Sequence, residues 1–149
     1  MNGLTDDERF MRLALDEARK AAEAGEVPVG AVVVTHGRVV GRGHNLTEAL
    51  CDVTAHAEIQ AITAAASLTG SKYLPDATLY VTVEPCLMCA GAIGWAQIGR
   101  VVIGCDDDKR GYRTYTSKSP FHPRCQVVRG VCETQSRALM QSFFKQKRK

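Results

Sequence analysis

Apolar positions recur near the start of the chain at Phe10, Leu13, Ala14, Ala18 and Ala21, the spacing of one helical face. Thr5-Asp6-Asp7-Glu8 precedes them as a capping box, with Thr5 as N-cap and Glu8 reaching back from the third helical position. Gly25 is the expected stop. The period then changes. Residues 27–34 are apolar and β-branched and predict a buried strand, and Thr35-His36-Gly37 turns the chain into a second strand over 38–43. Residues 44–53 are polar and irregular, which predicts a loop. The Ala-rich stretch from 54 to about 67 predicts a helix ended by Gly70, and residues 77–83, rich in Thr, Val and Tyr, predict a third strand. Pro85 fits the first turn of a further helix running to about 97, where its missing N–H costs nothing. Residues 101–104 and 127–131 predict two more strands. Between them, residues 105–125 are rich in charge, Gly, Ser and Pro and form a long connection, a type that is usually functional or disordered. A last helix is expected from about 133 to 149. Strands alternating with helices predict layered α/β architecture. No repeat or boundary interrupts residues 1–149, which read as one domain.

Composition narrows the class. A chain of 149 residues buries about 68–70% of its unfolded surface. Hydrophobic content of 45% and charged content of 23% are ordinary for a globular chain and exclude a disordered tail, a collagen-like repeat or a long coiled coil. No apolar run approaches the roughly 18 residues of a membrane span. The first ten residues are polar and acidic, unlike a secretory signal or an Arg-rich transit peptide, so the cytoplasm is the expected location.

The net charge of +3 conceals a division. Residues 1–99 carry 7 basic and 12 acidic side chains, a balance of −5, whereas residues 100–149 carry 12 and 4, a balance of +8. An acidic body with a basic end is expected either of a merely solvated face or of a surface that meets a polyanion.

Candidate chemistry lies in two short stretches. Of six cysteines, at 51, 86, 89, 105, 125 and 132, only Cys86 and Cys89 form a Cys-x-x-Cys pair. Without a secretory context such a pair points to metal binding or redox chemistry rather than a structural disulfide. The other four read as small buried apolar residues or spare thiols. The second stretch is His56-Ala57-Glu58, near another predicted helix start. His56, Cys86 and Cys89 together are a catalytic type of zinc set, because three protein ligands leave a fourth position for water. Cysteines three apart on a helix face one way, and exposed N–H groups at a helix start favour the thiolate. Zinc so held lowers the pKa of its water toward about 7. Glu58, two residues from His56, suits a proton carrier beside the metal better than a fourth ligand. Taken singly, His-x-Glu recurs by chance, and Cys-x-x-Cys also serves redox proteins and zinc ribbons. A ribbon needs a second pair, which is absent, and a redox pair leaves His56 and Glu58 unexplained. Together the two stretches are the known H-x-E…P-C-x-x-C signature of zinc nucleobase deaminases.

The resemblance extends through most of the chain. Glu26-Val27-Pro28-Val29-Gly30-Ala31-Val32-Val33, Gly43-His44-Asn45, Thr54-Ala55-His56-Ala57-Glu58-Ile59, Asp76-Ala77-Thr78-Leu79-Tyr80-Val81-Thr82, and above all Glu84-Pro85-Cys86-Leu87-Met88-Cys89-Ala90-Gly91-Ala92, resemble the bacterial tRNA adenosine deaminases of the cytidine deaminase superfamily. Phe143-Phe144 followed by basic residues resembles that branch's last helix. Gly94-Trp95-Ala96-Gln97 and the acidic Asp106-Asp107-Asp108 depart from some relatives.

The resemblance implies a three-layer cytidine deaminase-like fold with a five-stranded mixed sheet between helices. It implies zinc held by His56, Cys86 and Cys89, and proton transfer by Glu58. Asn45 and the Ala57 backbone are implied to contact an extruded base, and Asp107, Phe143 and Phe144 the surrounding RNA. The implied reaction is hydrolytic deamination of adenosine to inosine at the wobble position of a tRNA anticodon loop, by a homodimer. The signature alone leaves open a deaminase of a free base or nucleoside, of the guanine or cytosine type. A non-catalytic RNA-binding subunit has no need of Glu58. The basic end separates the two deaminase readings, since a small substrate has no use for it. Lys145, Lys147, Arg148 and Lys149 share the last predicted helix with Phe143 and Phe144, and Arg110, Arg113, Lys118 and Arg124 lie in the connection after the fourth strand.

Overall fold

The capping box at Thr5 forms as its residue types require, and it starts the first helix. In the computed structural model, which describes residues 3–148, the Glu8 N–H donates to Thr5 Oγ1 at 3.1 Å and the Thr5 N–H donates back to Glu8 Oε1 at 3.1 Å. Helix α1 then runs over Asp6–Glu23. Strands β1 (Gly30–Thr35) and β2 (Arg38–His44) follow, then helix α2 (Ala57–Thr69) and strand β3 (Ala77–Val83). Helix α3 (Leu87–Trp95), strand β4 (Arg100–Cys105), the short helix α4 (Tyr112–Tyr115), strand β5 (Gln126–Arg129) and helix α5 (Glu133–Lys147) complete the order. Lys149 lies outside the described residues.

The five strands form one mixed sheet in the order β2-β1-β3-β4-β5. β1 pairs antiparallel with both β2 and β3, while β3–β4 and β4–β5 are parallel. The register places Val33 beside Leu79 and Leu79 beside Val101. Alternation along these strands divides the core into two layers. Val32, Val34, Tyr80 and Val102 pack with Met11 and Ala14 of α1 on one face. Ala31, Val33, Leu79, Val81, Val101 and Ile103 pack with Ala57, Ala61 and Ala65 of α2 and Ala90 and Ile93 of α3 on the other. Both faces are covered, so the central strands read as apolar runs. Each fully buried Leu, Ile or Met in these layers contributes roughly 1.5–3 kcal/mol.

The expected α/β architecture and mixed sheet are present, and several element bounds differ from the expectation. The first strand begins at Gly30, not at 27, because Val29 N–H donates to Val27 O at 2.8 Å in a tight turn and Pro28 has no N–H to contribute to a ladder. The second helix begins at Ala57 rather than 54, with His56 as its N-cap. Pro85 stands one residue before the N-cap Cys86, outside the first turn, and its carbonyl accepts from Tyr112 N–H at 2.9 Å. The 105–125 connection holds α4, and the last strand stops at Arg129.

One close approach bears on the site, and one ion pair bears on stability alone. A Cβ at Gly43 would meet Ala61 N of α2 at 2.8 Å, so the glycine lets α2 lie flat against the strand that delivers Asn45. On the opposite face, Asp7 ties α1 to the sheet. It accepts from Tyr80 Oη at 2.8 Å and from both Arg100 Nη atoms at 2.8 and 2.7 Å.

Candidate active site and metal centre

Both stretches singled out by their chemistry lie at helix starts, and the fold brings those starts together. α2 enters after the loop that follows β2, and α3 enters directly after β3. Their N-caps are His56 (φ −76°, ψ 158°) and Cys86 (φ −69°, ψ 171°), both in the extended backbone an N-cap needs. Cys86 Sγ lies 3.6 Å from His56 Nδ1. The ligand atoms of His56, Cys86 and Cys89 all fall within 4.8 Å of one another. Tetrahedral zinc bonded at about 2.3 Å to sulfur and about 2.0 Å to nitrogen requires an S···N separation of about 3.5 Å, so the donor set fits that ion.

The electrostatics agree. The Cys89 thiol, donating to Cys86, and then the His56 ring hold Cys86 down at about 4, well below the usual thiol range. Cys89 is shifted up by the same hydrogen bond and by its burial. His56 is shifted up chiefly by its contact with Cys86. The pair thus presents a negative sulfur at two helix N-termini.

Glu58 is 3% exposed. Burial first, and then the negative Cys86 sulfur, push its carboxyl up to about 7. A carboxyl poised there both accepts and releases a proton at neutral pH.

These residues line a cavity of about 260 Å³ with Asn45, Ala57 and Asp107, and its wall is completed by residues that include Thr47, Glu84, Arg110 and Met140. Of the residues expected from the sequence, Asn45, His56, Ala57, Glu58, Cys86 and Asp107 meet in this one space. Cys89 lies fully buried beneath it. Ala57 is the first helical residue, so its N–H has no intrahelical partner. Asn45 does two things at once. Its Oδ1 accepts from Thr47 N–H at 3.2 Å, folding its own loop, and among the described residues its Nδ2 has no protein acceptor. Asp107 Oδ1 likewise accepts from Lys109 and Arg110 N–H at 3.0 Å each.

A groove of about 610 Å³ opens beside the cavity and shares Val27, Val83, Asp107, Arg110 and Met140 with it. Phe144 and Arg148 of the last helix line it, with Lys109 and Arg137. Phe143 is not among its lining residues. It packs edge-on against Phe144 at 5.3 Å between ring centres and lies under Lys147 Nζ.

Sequence reasoning missed two buried carboxylates that shape the mouth. Glu26, 1% exposed, accepts from Glu48 N–H at 3.0 Å, Ala49 N–H at 2.8 Å and Thr47 Oγ1 at 3.4 Å. Burial alone would raise its pKa, but these donors outweigh burial and hold it below the usual value. Glu84, 5% exposed, accepts from the N–H groups of Asp107 and Arg113. For Glu84 the available signal was an acid closing the apolar run 77–83 beside Pro85, since Glu is almost never buried without partners; Glu26 carried no such mark.

Residues 4–105 match the cytidine and deoxycytidylate deaminase zinc-binding region. The chain therefore belongs to the cytidine and deoxycytidylate deaminase family. Within it, the chain is 47% identical over 143 residues to a tRNA-specific adenosine deaminase of Agrobacterium fabrum, covering 93% of this chain and 94% of that protein. A solved structure from work on A-to-I editing by tRNA:A34 deaminases superposes with a TM-score of 0.82 at 46% identity, over 88% of this chain and 98% of the other. A guanine deaminase from Bacillus subtilis superposes less fully, with a TM-score of 0.64 at 38% identity over 71% of this chain and 66% of that one.

Proposed function

We propose that this protein deaminates adenosine to inosine at the wobble position of a tRNA anticodon loop. The observation that carries the reading is the single cavity in which a buried Glu58, the His56–Cys86–Cys89 set and the Asn45 amide converge, opening into a groove edged by Phe144, Arg110 and Arg148. Its near relatives are named for this reaction. Residues His56, Cys86 and Cys89 would hold Zn2+, which supplies water of lowered pKa at neutral pH.

The chain's own residues handle the rest. Asn45 and the Ala57 backbone orient the extruded base. As water oxygen bonds to C6, Glu58 accepts a water proton and delivers it to N1. Glu58 then carries the C6 hydroxyl proton to the departing amino nitrogen, the C6–N6 bond breaks, and ammonia leaves inosine behind. The atoms balance as adenosine plus water. Asp107 and Phe144 are assigned to neighbouring nucleotides, and Phe143 supports Phe144. Extruding a base is cheapest from a loop, which favours an anticodon loop over a duplex.

The reading includes a homodimer working in the cytoplasm. The outward face of α3 supports the dimer: Leu87, Met88 and Trp95 are 45%, 40% and 84% exposed, a strip of apolar surface left open by the described residues. Among the described residues no helix is long and apolar enough to cross a membrane. One sheet shared by all the strands supports a single deaminase domain.

The test is product analysis with zinc-loaded protein on a tRNA pool beside a panel of free bases and nucleosides. Inosine in tRNA, with a KM that rises steeply with salt as phosphate contacts require, is the expected result. Turnover of free guanine or cytidine with no inosine in tRNA would overturn it in favour of the small-substrate reading.

A further inference from the structure

The loop that places Asp107 and Arg110 at the cavity mouth is held from below by a cluster of charges the reaction does not use. Two guanidinium groups meet two carboxylates there. Arg113 Nη2 lies 3.3 Å from Glu84 Oε1 and 3.0 Å from Asp106 Oδ1. Arg129 Nη1 lies 2.9 Å from Asp106 Oδ1 and 3.6 Å from Glu84 Oε1, and its Nη2 donates to Tyr112 Oη at 2.6 Å. The Glu84 carboxylate, 2% exposed as a side chain, also accepts from Asp107 N–H at 3.3 Å and Arg113 N–H at 3.2 Å. Gly111 makes the approach possible, because a Cβ there would meet Asp107 O at 2.5 Å and crowd the Glu84 carboxylate. Gly111 forms an isolated bridge with Cys86, and Tyr112 N–H donates to Pro85 O. The network thus joins the end of β5, the mouth loop and α4 to the chain next to a metal ligand.

We propose that Arg129, acting through Asp106 and Tyr112, is a positioning residue that sets the height of the Asp107–Arg110 loop over the cavity and thereby the grip on the nucleotide beside the target adenosine. The charges balance within the cluster, so its contribution lies in direction rather than net attraction. Arg129 supplies a planar fork that reaches two partners on different segments at once, which a lysine point charge cannot reproduce. The proposal rests on the deaminase reading for its substrate and on the structure alone for the loop.

The test uses full-length, zinc-loaded protein, the variants Arg129→Gln, Arg129→Lys, Asp106→Asn and Arg129→Gln/Asp106→Asn, and an anticodon stem-loop RNA. Arg129→Gln is expected to raise KM about tenfold, the scale of a lost charged hydrogen bond, with kcat within about twofold and zinc content unchanged. Arg129→Lys, the variant to use if the glutamine chain does not fold, should recover part of that loss. The double variant should be no worse than Arg129→Gln, because the partners act as one unit. An unchanged KM, a fall confined to kcat, or effects that multiply would overturn the proposal. Hydrogen exchange at the amides of residues 107–113 supplies a readout without substrate: faster exchange in Arg129→Gln is expected, and unchanged protection overturns the role. If wild type makes no inosine yet the variant loses protection, the deaminase reading falls and the loop-holding role stands.

Discussion

The floor and the mouth of the cavity are built on different physical terms. The floor, His56, Glu58, Cys86 and Cys89, stands on the first turns of α2 and α3, where backbone geometry dictates side-chain direction and exposed N–H groups stabilise negative charge. The mouth, from Asn45 to Thr47 on one side and Asp107 to Arg110 on the other, is irregular chain held by buried carboxylates at a distance in sequence. The two sides of the mouth differ in turn. Glu26 is satisfied by neutral N–H and O–H donors, whereas Glu84 shares two guanidinium groups. A floor of this kind suits chemistry common to many substrates, and a mouth set by distant partners suits choosing among them.

That division predicts which kinetic constant each change moves. The largest effect belongs to the floor. Glu58→Gln keeps the size of the side chain and removes its proton-carrying capacity, so kcat should fall about 10²–10⁴-fold with KM and zinc content near wild type. Single-turnover deamination with metal analysis checks this, and a change confined to KM would dissolve the distinction between floor and mouth. An intermediate effect belongs to Glu26→Gln. The amide nitrogen replaces one of the two oxygens that accept separately from the Glu48 and Ala49 N–H groups, so one part-buried donor loses its acceptor at about 1 kcal/mol. The midpoint of thermal unfolding should drop by about 2–4 °C and KM should rise, while single-turnover kcat stays within a few-fold.

The smallest effect lies outside both regions and serves as their control. Asp7 is held below the usual carboxylate range, first by its hydrogen bonds from Arg100, against a partial offset from burial. A depressed folded pKa means that its stabilisation is present above the unfolded value near 3.9 and is lost as pH falls through the folded pKa. Denaturant unfolding between pH 5 and 2 should therefore show a loss of at most about 1 kcal/mol that Asp7→Asn abolishes, with no change in KM at neutral pH.

Legibility in the sequence follows the same division. The helix starts were readable because capping and a metal-type donor pair each use a short, regular spacing. Thr5 with Glu8, and Cys86 with Cys89, are local pairs whose geometry needs no distant partner. The offset of three residues at α2 arose because His56 itself occupies the N-cap, a position composition does not mark. Glu26 and Glu84 were contained in recognisable stretches yet carried no visible role, because their partners lie 21 or more residues away. Phe143 and Phe144 looked equivalent as neighbours, and only the rotation of α5 placed Phe144 on the groove.

By itself the sequence determined the alternation of strands and helices, a zinc-type donor set, a carboxylate two residues from its histidine and the basic character of the last fifty residues. All of these depend on residue type and short-range period. Tertiary structure decided which carboxylates are buried, which basic residues border the cavity and which are spent on Glu84 and Asp106, and that Trp95 stays outside the core. These depend on contacts between segments far apart in the chain, which no local pattern encodes.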